Sequence, residues 1–526
     1  MAISSVSLIT LVATGILLRA VISLHSYSGE SKPPMYGDFE AQRHWQEVTV
    51  NLPVRQWYEN STDNDLLYWG LDYPPLTAYH SFLLGKWAMA QDPSFVRLHE
   101  SRGITTGVHK NFMRNTVLLV DGLLYIPALV LACYVVRRKI FGGETTGSDL
   151  LGMAVALLYP GQILIDNGHF QYNNVSLGLA ALAIAALLAD RNLLGSALFV
   201  AALNYKQMEL YHALPFFFYL LGWCFQHSKG FDFKKGVLNL TVLGTVVLLT
   251  FAAIWSPWLG SIDSTVQVIH RVFPIARGVF EDKVANIWCI VNVFIKLKNF
   301  ENARMALICL CCTLCAVLPS SLALLFRPSK RNFLLALVNS SLGFFLLSFQ
   351  VHEKSILLVS LPVMLLFQLC PLQCFWFLQV ATFSMVPLLH KDSLLSAYVA
   401  LTILSFGVLK VSLFALNNFQ SSKKSFLLDC FNLNSLLQNR PGKKSLVNTA
   451  LLHGFYTFTV GQVILLICFV YVQPPRHLPF LWPLLISAYS CAHFVLFFIY
   501  YNYLQFVTND NSNVTSHKKS DKRKRK

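Results

Sequence analysis

Charge is scarce in this sequence. Only 13% of its 526 residues are Asp, Glu, Lys or Arg, while 55% are hydrophobic. A mean hydropathy of +0.51 sets it apart from soluble globular chains. Acidic residues are the rarer sign, 26 against 42 Lys and Arg. A surplus of +16 can signal nucleic acid, but here the basic residues fall in short clusters between apolar runs. That is the positive-inside pattern of a polytopic membrane protein, and it argues against a nucleic-acid partner. There is no P-loop, GxGxxG, HExxH or Ser-His-Asp pattern, so nucleotide-driven transport and hydrolase chemistry have no support. Cysteine supplies no site: Cys309, Cys311, Cys312 and Cys315 share one apolar run, without the polar partners and accessible loop that zinc or redox chemistry needs. The first apolar run, Val6 to Leu24, contains Arg19 and lacks a small-residue cleavage site after it. It reads as a retained span rather than a removed signal.

What the chain does have is a long series of apolar runs, about fourteen of them long enough to be read as spans. Arg137-Arg138-Lys139, HSKGFDFKK (227–235) and RPSKR (327–331) mark cytosolic loops between them, and the basic tail does the same at the end. The expected fold class is an all-α polytopic membrane protein with both termini cytosolic. The run Val284 to Ile295 would break this alternation if it crossed. At about 12 residues it is short for a span, and it is read as re-entrant or interfacial.

Against that background the polar stretch from Gly37 to His80 stands out. It lies in a long first loop, 25–115. GDFEAQRHWQE gathers Asp38, Glu40, Arg43, His44 and Glu47, with a spacing that reads as the first turns of a helix. Asp38 then stands at or next to the helix N-terminus, where free N–H groups and the positive end of the dipole favour an ionised carboxylate. A carboxylate held ionised at a membrane surface is a candidate general base. In YWGLDYPPLTAYH, Pro74-Pro75 stops any preceding helix and holds Tyr73 extended. Asp72 either starts that turn or is presented rigidly towards Asp38, as an alternative base. Phe39 to Leu52 and Leu76 to Ala90 are expected as amphipathic interfacial helices. Asn60-Ser61-Thr62 is a glycosylation sequon, usable if the loop is lumenal.

Alternation places further polar segments in the same compartment as this loop. DNGHFQYNN (166–174) supplies Asp166, His169 and Gln171, and NYKQMELYH (204–212) supplies Lys206, Gln207 and Glu209. The loop after Ser256 supplies Arg277, Glu281, Asp282 and Lys283, and VHEKS (351–355) supplies His352, Glu353 and Lys354. Ionisable groups at span ends are costly to bury and tend to line a cavity or pathway. Capping at the interface accounts for any one of these motifs; one lumenal catalytic cavity accounts for their convergence. His352, with Lys354 two residues on at the mouth of a span, offers donors and positive charge at the depth of a lipid phosphate.

GDFEAQRHWQE, YWGLDYPPLTAYH, GHFQYNNVSLG, NYKQMELYHALPFF, FPIARGVFEDKVANIWC and FQVHEKSILL follow one another between Gly37 and Leu358. In these motifs the chain resembles the dolichyl-phosphate-glucose-dependent glucosyltransferases of the endoplasmic reticulum. From about Leu369 onward the likeness rests mainly on hydropathy. The resemblance implies a GT-C fold whose first lumenal loop carries an essential acidic residue. It implies a catalytic module over 1–371, further membrane helices over 372–506 and a basic cytosolic tail over 507–526. The implied donor is dolichyl phosphate glucose, and the implied acceptor is dolichyl pyrophosphate bearing two GlcNAc and nine mannose residues, both held in membrane lipid.

A β-linked glucosyl phosphate that becomes an α linkage requires inversion, and Asp38 is the expected base. His352, Lys354 and Lys206 are candidates for the donor phosphate. Asp72, Glu40, Arg43, His169, Gln171, Gln207 and Glu209 are candidates for binding substrate. No metal cluster and no cofactor is expected. The contexts GDFEAQRHW and WGLDYPPLTAYH favour addition of the first glucose. Transfer of the second glucose is the alternative within the family, and a polytopic transporter is the alternative outside it, although no motif is repeated between the halves. The implied location is the endoplasmic reticulum membrane with a lumenal site. Lys522 and Lys524 in the final KRKRK resemble a retrieval signal or serve as a plain positive-inside tail.

Overall fold

The computed structural model describes residues 5–142, 147–227, 230–273, 283–418 and 446–507. Arg277, Glu281 and Asp282 and the tail with Lys522 and Lys524 lie outside the described residues. Helix follows the apolar runs. In chain order these are α1 (Ser5–Ile22), α2 (Gly37–Asn51), α3 (Pro75–Gln91) and α4 (Gly107–Phe141), then α5 (Asp149–Phe170), interrupted at Tyr159. The hairpin α6 (Asn173–Leu188) and α7 (Asn192–Tyr205) follows. Next are α8 (Leu210–Phe225), α9 (Phe233–Trp255), α10 (Ile262–Val272) and α11 (Ile287–Phe294). The remainder comprises α12 (Asn302–Phe326), α13 (Lys330–Leu347), α14 (Ile356–Leu365), α15 (Pro371–Ser384) and α16 (Val386–Lys391). The last three are α17 (Leu395–Asn418), α18 (Leu446–Tyr471) and α19 (Leu481–Val507). A two-residue antiparallel ladder pairs Gln226 with Phe231 and His227 with Gly230.

Among the described residues, seven helices are at least 18 residues long and apolar enough to cross a membrane, and shorter apolar helices accompany them. The chain is an all-α, multi-pass membrane protein. α9 leaves Leu238, Leu248 and Leu249 exposed, as expected of a helix facing lipid while its backbone bonds remain internal. α11 has 8 residues, about 12 Å of helix, too short to cross. That fits the re-entrant or interfacial reading of 284–295.

The helices form two compact units. The first comprises residues 1–210, 239–277 and 367–462; the second comprises 211–238, 278–366 and 463–526. In the first unit, Phe39, Phe95, Phe112, Phe170 and Tyr172 share one core cluster, while Trp45, Trp57, Tyr58 and Trp258 share another. In the second, Trp288, Leu297, Met305 and Cys309 form a cluster, and the Trp288 indole donates to the Leu347 carbonyl at 2.7 Å.

One expectation is corrected. α2 is not an interfacial amphipath: Phe39 through Thr49 are all buried. Glu40, Arg43 and Glu47 satisfy one another within the helix, so their face does not have to reach water. α3 packs on it through small residues, including Ala78, Ser81, Gly85 and Ala88. A Cβ at Gly85 would lie 2.8 Å from the Gln46 carbonyl oxygen, an approach only glycine permits.

Candidate active site

The turn before α2 positions Asp38. Gly29 and Gly37 have φ of +73° and +68°, and a Cβ on Gly37 would meet the Ser28 carbonyl carbon and oxygen at 2.6 Å. Glycine alone combines that backbone angle with that approach. Between them Tyr36 enters the helix at φ 56°. The Asp38 N–H donates to Ser28 Oγ at 3.3 Å, and the Ser28 N–H donates to the His169 carbonyl at 3.0 Å. The first turn of α2 is thereby tied to the end of α5.

That end is wound as a π-helix over Ile163–Phe170, a winding common where side chains must be re-aimed. Its final carbonyls have no partner within the helix. Arg114 of α4 collects them, donating to Asn167 O at 2.5 Å and Gly168 O at 2.8 Å, and also to Ser26 O at 3.1 Å. His169 and Gln171 project towards Asp38 as a result. Asp38 Oδ2 accepts from Gln171 Nε2 at 2.6 Å and lies 2.9 Å from His169 Nε2. The other imidazole nitrogen, Nδ1, lies 2.5 Å from Asp392 Oδ2. Asp392 and His169 are 5% and 3% exposed, and Asp38 is 24% exposed. A buried carboxylate, a buried imidazole and a partly open carboxylate thus stand in line.

Beside this line is a narrow crevice lined by Gln42, Thr77, Gln171, Lys206 and the rings of Tyr73, Tyr172 and Tyr205. Lys206 Nζ donates to Asn173 Oδ1 at 2.5 Å and stands 5.1 Å from the Tyr73 ring centre. Asn173 Nδ2 in turn donates to Asp166 Oδ1 at 2.7 Å, and the Asn174 N–H donates to Asp166 Oδ2 at 2.6 Å. The Asn174 side chain donates to Asp121, whose Oδ2 also accepts from Asn167 at 2.7 Å and lies 3.5 Å from Arg19 Nε. A buried ladder of amides and carboxylates therefore runs from α1 to Lys206.

The other sequence candidates occupy different surroundings. Glu40 and Arg43 bond to each other: Arg43 Nε and Nη2 donate to Glu40 at 2.8 and 2.6 Å, Nη1 pairs with Glu47 at 2.7 Å, and Tyr68 Oη donates to Glu40 at 2.8 Å. Burial alone would raise the Glu47 pKa. His44, Arg43 and the His99 N–H together outweigh burial and hold it at about 2. Gln207 Nε2 donates to the Asp72 and Val272 carbonyls, both at 3.2 Å, and so secures the backbone of Asp72. Glu209 is buried and accepts from Ser176 Oγ at 2.6 Å. His352 and Lys354 belong to the second unit, where the Ser355 N–H donates to the His352 carbonyl at 3.0 Å. Among the described residues, no group of three or more His, Cys, Asp or Glu is arranged to hold a metal ion.

Residues 13–500 match the ALG6, ALG8 glycosyltransferase family. The chain belongs to that family. It is 48% identical to the probable dolichyl pyrophosphate Man9GlcNAc2 alpha-1,3-glucosyltransferase of Drosophila melanogaster, over 94% of this chain and 97% of the relative. It is also 48% identical to the Gallus gallus protein named dolichyl pyrophosphate Man9GlcNAc2 alpha-1,3-glucosyltransferase, over 96% and 98%, and to the Mus musculus protein of the same name over 93% and 95%. In this ALG6, ALG8 family member the motif reading missed Asp392, which lies 223 residues beyond His169. A signal was present: Asp392 is the only acidic residue between Pro371 and Asn418, and alternation puts the turn between α16 and α17 on the motif side. Gln42, inside GDFEAQRHW, was also passed over.

Proposed function

We propose that this glycosyltransferase adds the first glucose, in α-1,3 linkage, to the nine-mannose oligosaccharide carried on dolichyl pyrophosphate, using dolichyl phosphate glucose as donor. The observation that carries the mechanism is the setting of Asp38: a carboxylate at the start of a helix, 24% exposed, with His169 and Gln171 against one oxygen. Such a carboxylate stays ionised and oriented, as a base requires. In one in-line displacement the acceptor hydroxyl oxygen bonds to glucose C1 as the C1–O bond to phosphate breaks. Asp38 takes the hydroxyl proton, and dolichyl phosphate leaves with the electron pair. A phosphodiester needs no general acid, so the remaining requirement is stabilisation of the departing charge.

Lys206 offers that positive charge beside the cleft, and His352 and Lys354 keep the phosphate role on the sequence grounds given above. Gln171 and the tyrosine rings suit hydroxyl groups and the apolar face of a sugar. Asp72, Gln207 and Glu209 remain candidates for contacts with donor or acceptor. Glu40 and Arg43 act by holding α2 in place. The site faces the lumen of the endoplasmic reticulum, with both termini in the cytosol. The test is glucosyl transfer by purified protein to a glucose-free lipid-linked oligosaccharide, wild type beside Asp38→Asn. Transfer lost in a well-folded mutant supports the assignment. Use of only the monoglucosylated acceptor replaces it with the second-glucose reaction, and no transfer to either reopens the transporter reading.

A further inference from the structure

We propose that Asp392 is a positioning residue for this transfer: acting through His169, it keeps Asp38 ionised and oriented towards the acceptor hydroxyl. The inference rests on Asp38 as base. Asp392 Oδ2 lies 2.5 Å from His169 Nδ1, and Asp38 Oδ2 lies 2.9 Å from Nε2. Two lone pairs do not face each other at such separations, so each N···O line carries a proton. With both of these protons held on the imidazole, the three groups together carry one net negative charge. Asp38 is then an acceptor ready for the hydroxyl proton.

Asp392 makes that state tenable. An imidazolium 3% exposed is costly by itself, and a buried carboxylate behind Nδ1 offsets the cost. Of the charged groups on the surrounding elements, Arg114 also interacts electrostatically with Asp392. Arg114 of α4 binds the carbonyls of Asn167 and Gly168. Lys32, from the α1–α2 connection, donates to the Lys391 carbonyl at 2.8 Å, and Glu30 is paired with Lys110 at 3.0 Å. His25 offers its backbone carbonyl to Arg114, and His390 and Lys391 adjoin Asp392 in sequence. The turn itself is fixed by Ser26 Oγ donating to the Asp392 carbonyl. During transfer the proton goes to Asp38, and His169 continues to donate to both neighbours. Asp38 is the member of the line that exchanges the proton with water afterwards, being the most exposed.

The test is the pH dependence of kcat/KM for glucosyl transfer by the full-length enzyme in lipid nanodiscs, comparing wild type, Asp38→Asn, Asp392→Asn, His169→Gln and the His169→Gln/Asp392→Asn double variant. Asp392→Asn is expected to lower kcat/KM by about tenfold to a hundredfold, mainly through kcat. It should also move the alkaline limb about one to three pH units lower, because the imidazolium loses its buried counter-charge. His169→Gln keeps a neutral donor facing Asp38 and should abolish the alkaline limb, and adding Asp392→Asn to it should change little. A wild-type profile in Asp392→Asn, an undiminished extra loss on the His169→Gln background, or an alkaline limb that persists in His169→Gln would overturn the proposal. The last of these stands even if Asp392→Asn does not fold. Activity surviving in Asp38→Asn would instead remove the base assignment beneath it, a distinct failure.

Discussion

Replacing Arg43 with Met removes a charge on which two buried carboxylates depend. Arg43 is fully buried, as is Glu47, and Glu40 is 2% exposed. The guanidinium makes three charge-assisted contacts with these carboxylates, at 2.6 to 2.8 Å, and a fourth bond to Ser101 Oγ at 2.5 Å. Breaking a buried pair by deleting one partner costs about 3–5 kcal/mol, because the partner charge stays behind without compensation. The assay is thermal unfolding of the purified protein, followed by tryptophan fluorescence at neutral pH, with the triple variant Glu40→Gln/Arg43→Met/Glu47→Gln alongside. The single variant should unfold at clearly lower temperature, and the triple should recover part of the loss because no charge is stranded.

The sign with pH is also fixed. Glu47 is depressed from 4.5 to about 2 in the fold, so its contribution is complete above pH 4.5 and fades as pH falls towards 2. Arg43→Met forfeits that contribution at neutral pH, so the gap between it and wild type should narrow on acidification. An Arg43→Met protein as stable as wild type at neutral pH, or a triple variant worse than the single, would refute the reasoning.

Gly37→Ala should lower glucosyl transfer while leaving the membrane helices folded. The added methyl meets Ser28 backbone at 2.6 Å and φ is +68°, a strain on the order of 1–3 kcal/mol that is relieved by moving Asp38. His80 is held neutral by burial, its pKa lowered from 6.5 to about 4, while Nδ1 meets the Tyr205 hydroxyl at 2.8 Å. Wild type should therefore lose stability as pH falls from 6.5 towards 4, and His80→Gln should lose less over that interval in the same unfolding assay. Asn60 is exposed in the first loop; endoglycosidase treatment should shift the mobility of wild type expressed in eukaryotic cells and leave Asn60→Gln unchanged.

The place of Asp38 in the first turn of α2 was legible in the sequence because helix entry and clustered polarity bear on local stretches of chain. The short run at 284–295 was legible for the same reason: length alone decides whether a helix crosses. The burial of α2 was not. Its polar residues read as a wet face because pattern cannot tell a charge facing water from one facing another charge three or four residues along, as Arg43 faces Glu40 and Glu47. Asp392 was hidden by distance: only the folded chain brings the turn between α16 and α17 to His169. The π winding at Ile163–Phe170 was equally out of reach, since it depends on Arg114 of another helix taking up the loosened carbonyls. Lys206 read as a phosphate ligand, while its tether through Asn173 to Asp166 emerged only with the packing of α5 against α6.

The ladder from Arg19 to Lys206 alters what α1 is. A first span that served only to anchor the chain would be interchangeable with any apolar helix of equal length, as a luggage strap is with another strap. Here Arg19 pairs with Asp121, Asp121 holds Asn167 and Asn174, and Asn174 with Asn173 grips Asp166 beside the lysine. Grafting a foreign signal-anchor onto residue 25 would therefore deliver the loop to the correct side of the membrane and still disturb the cleft.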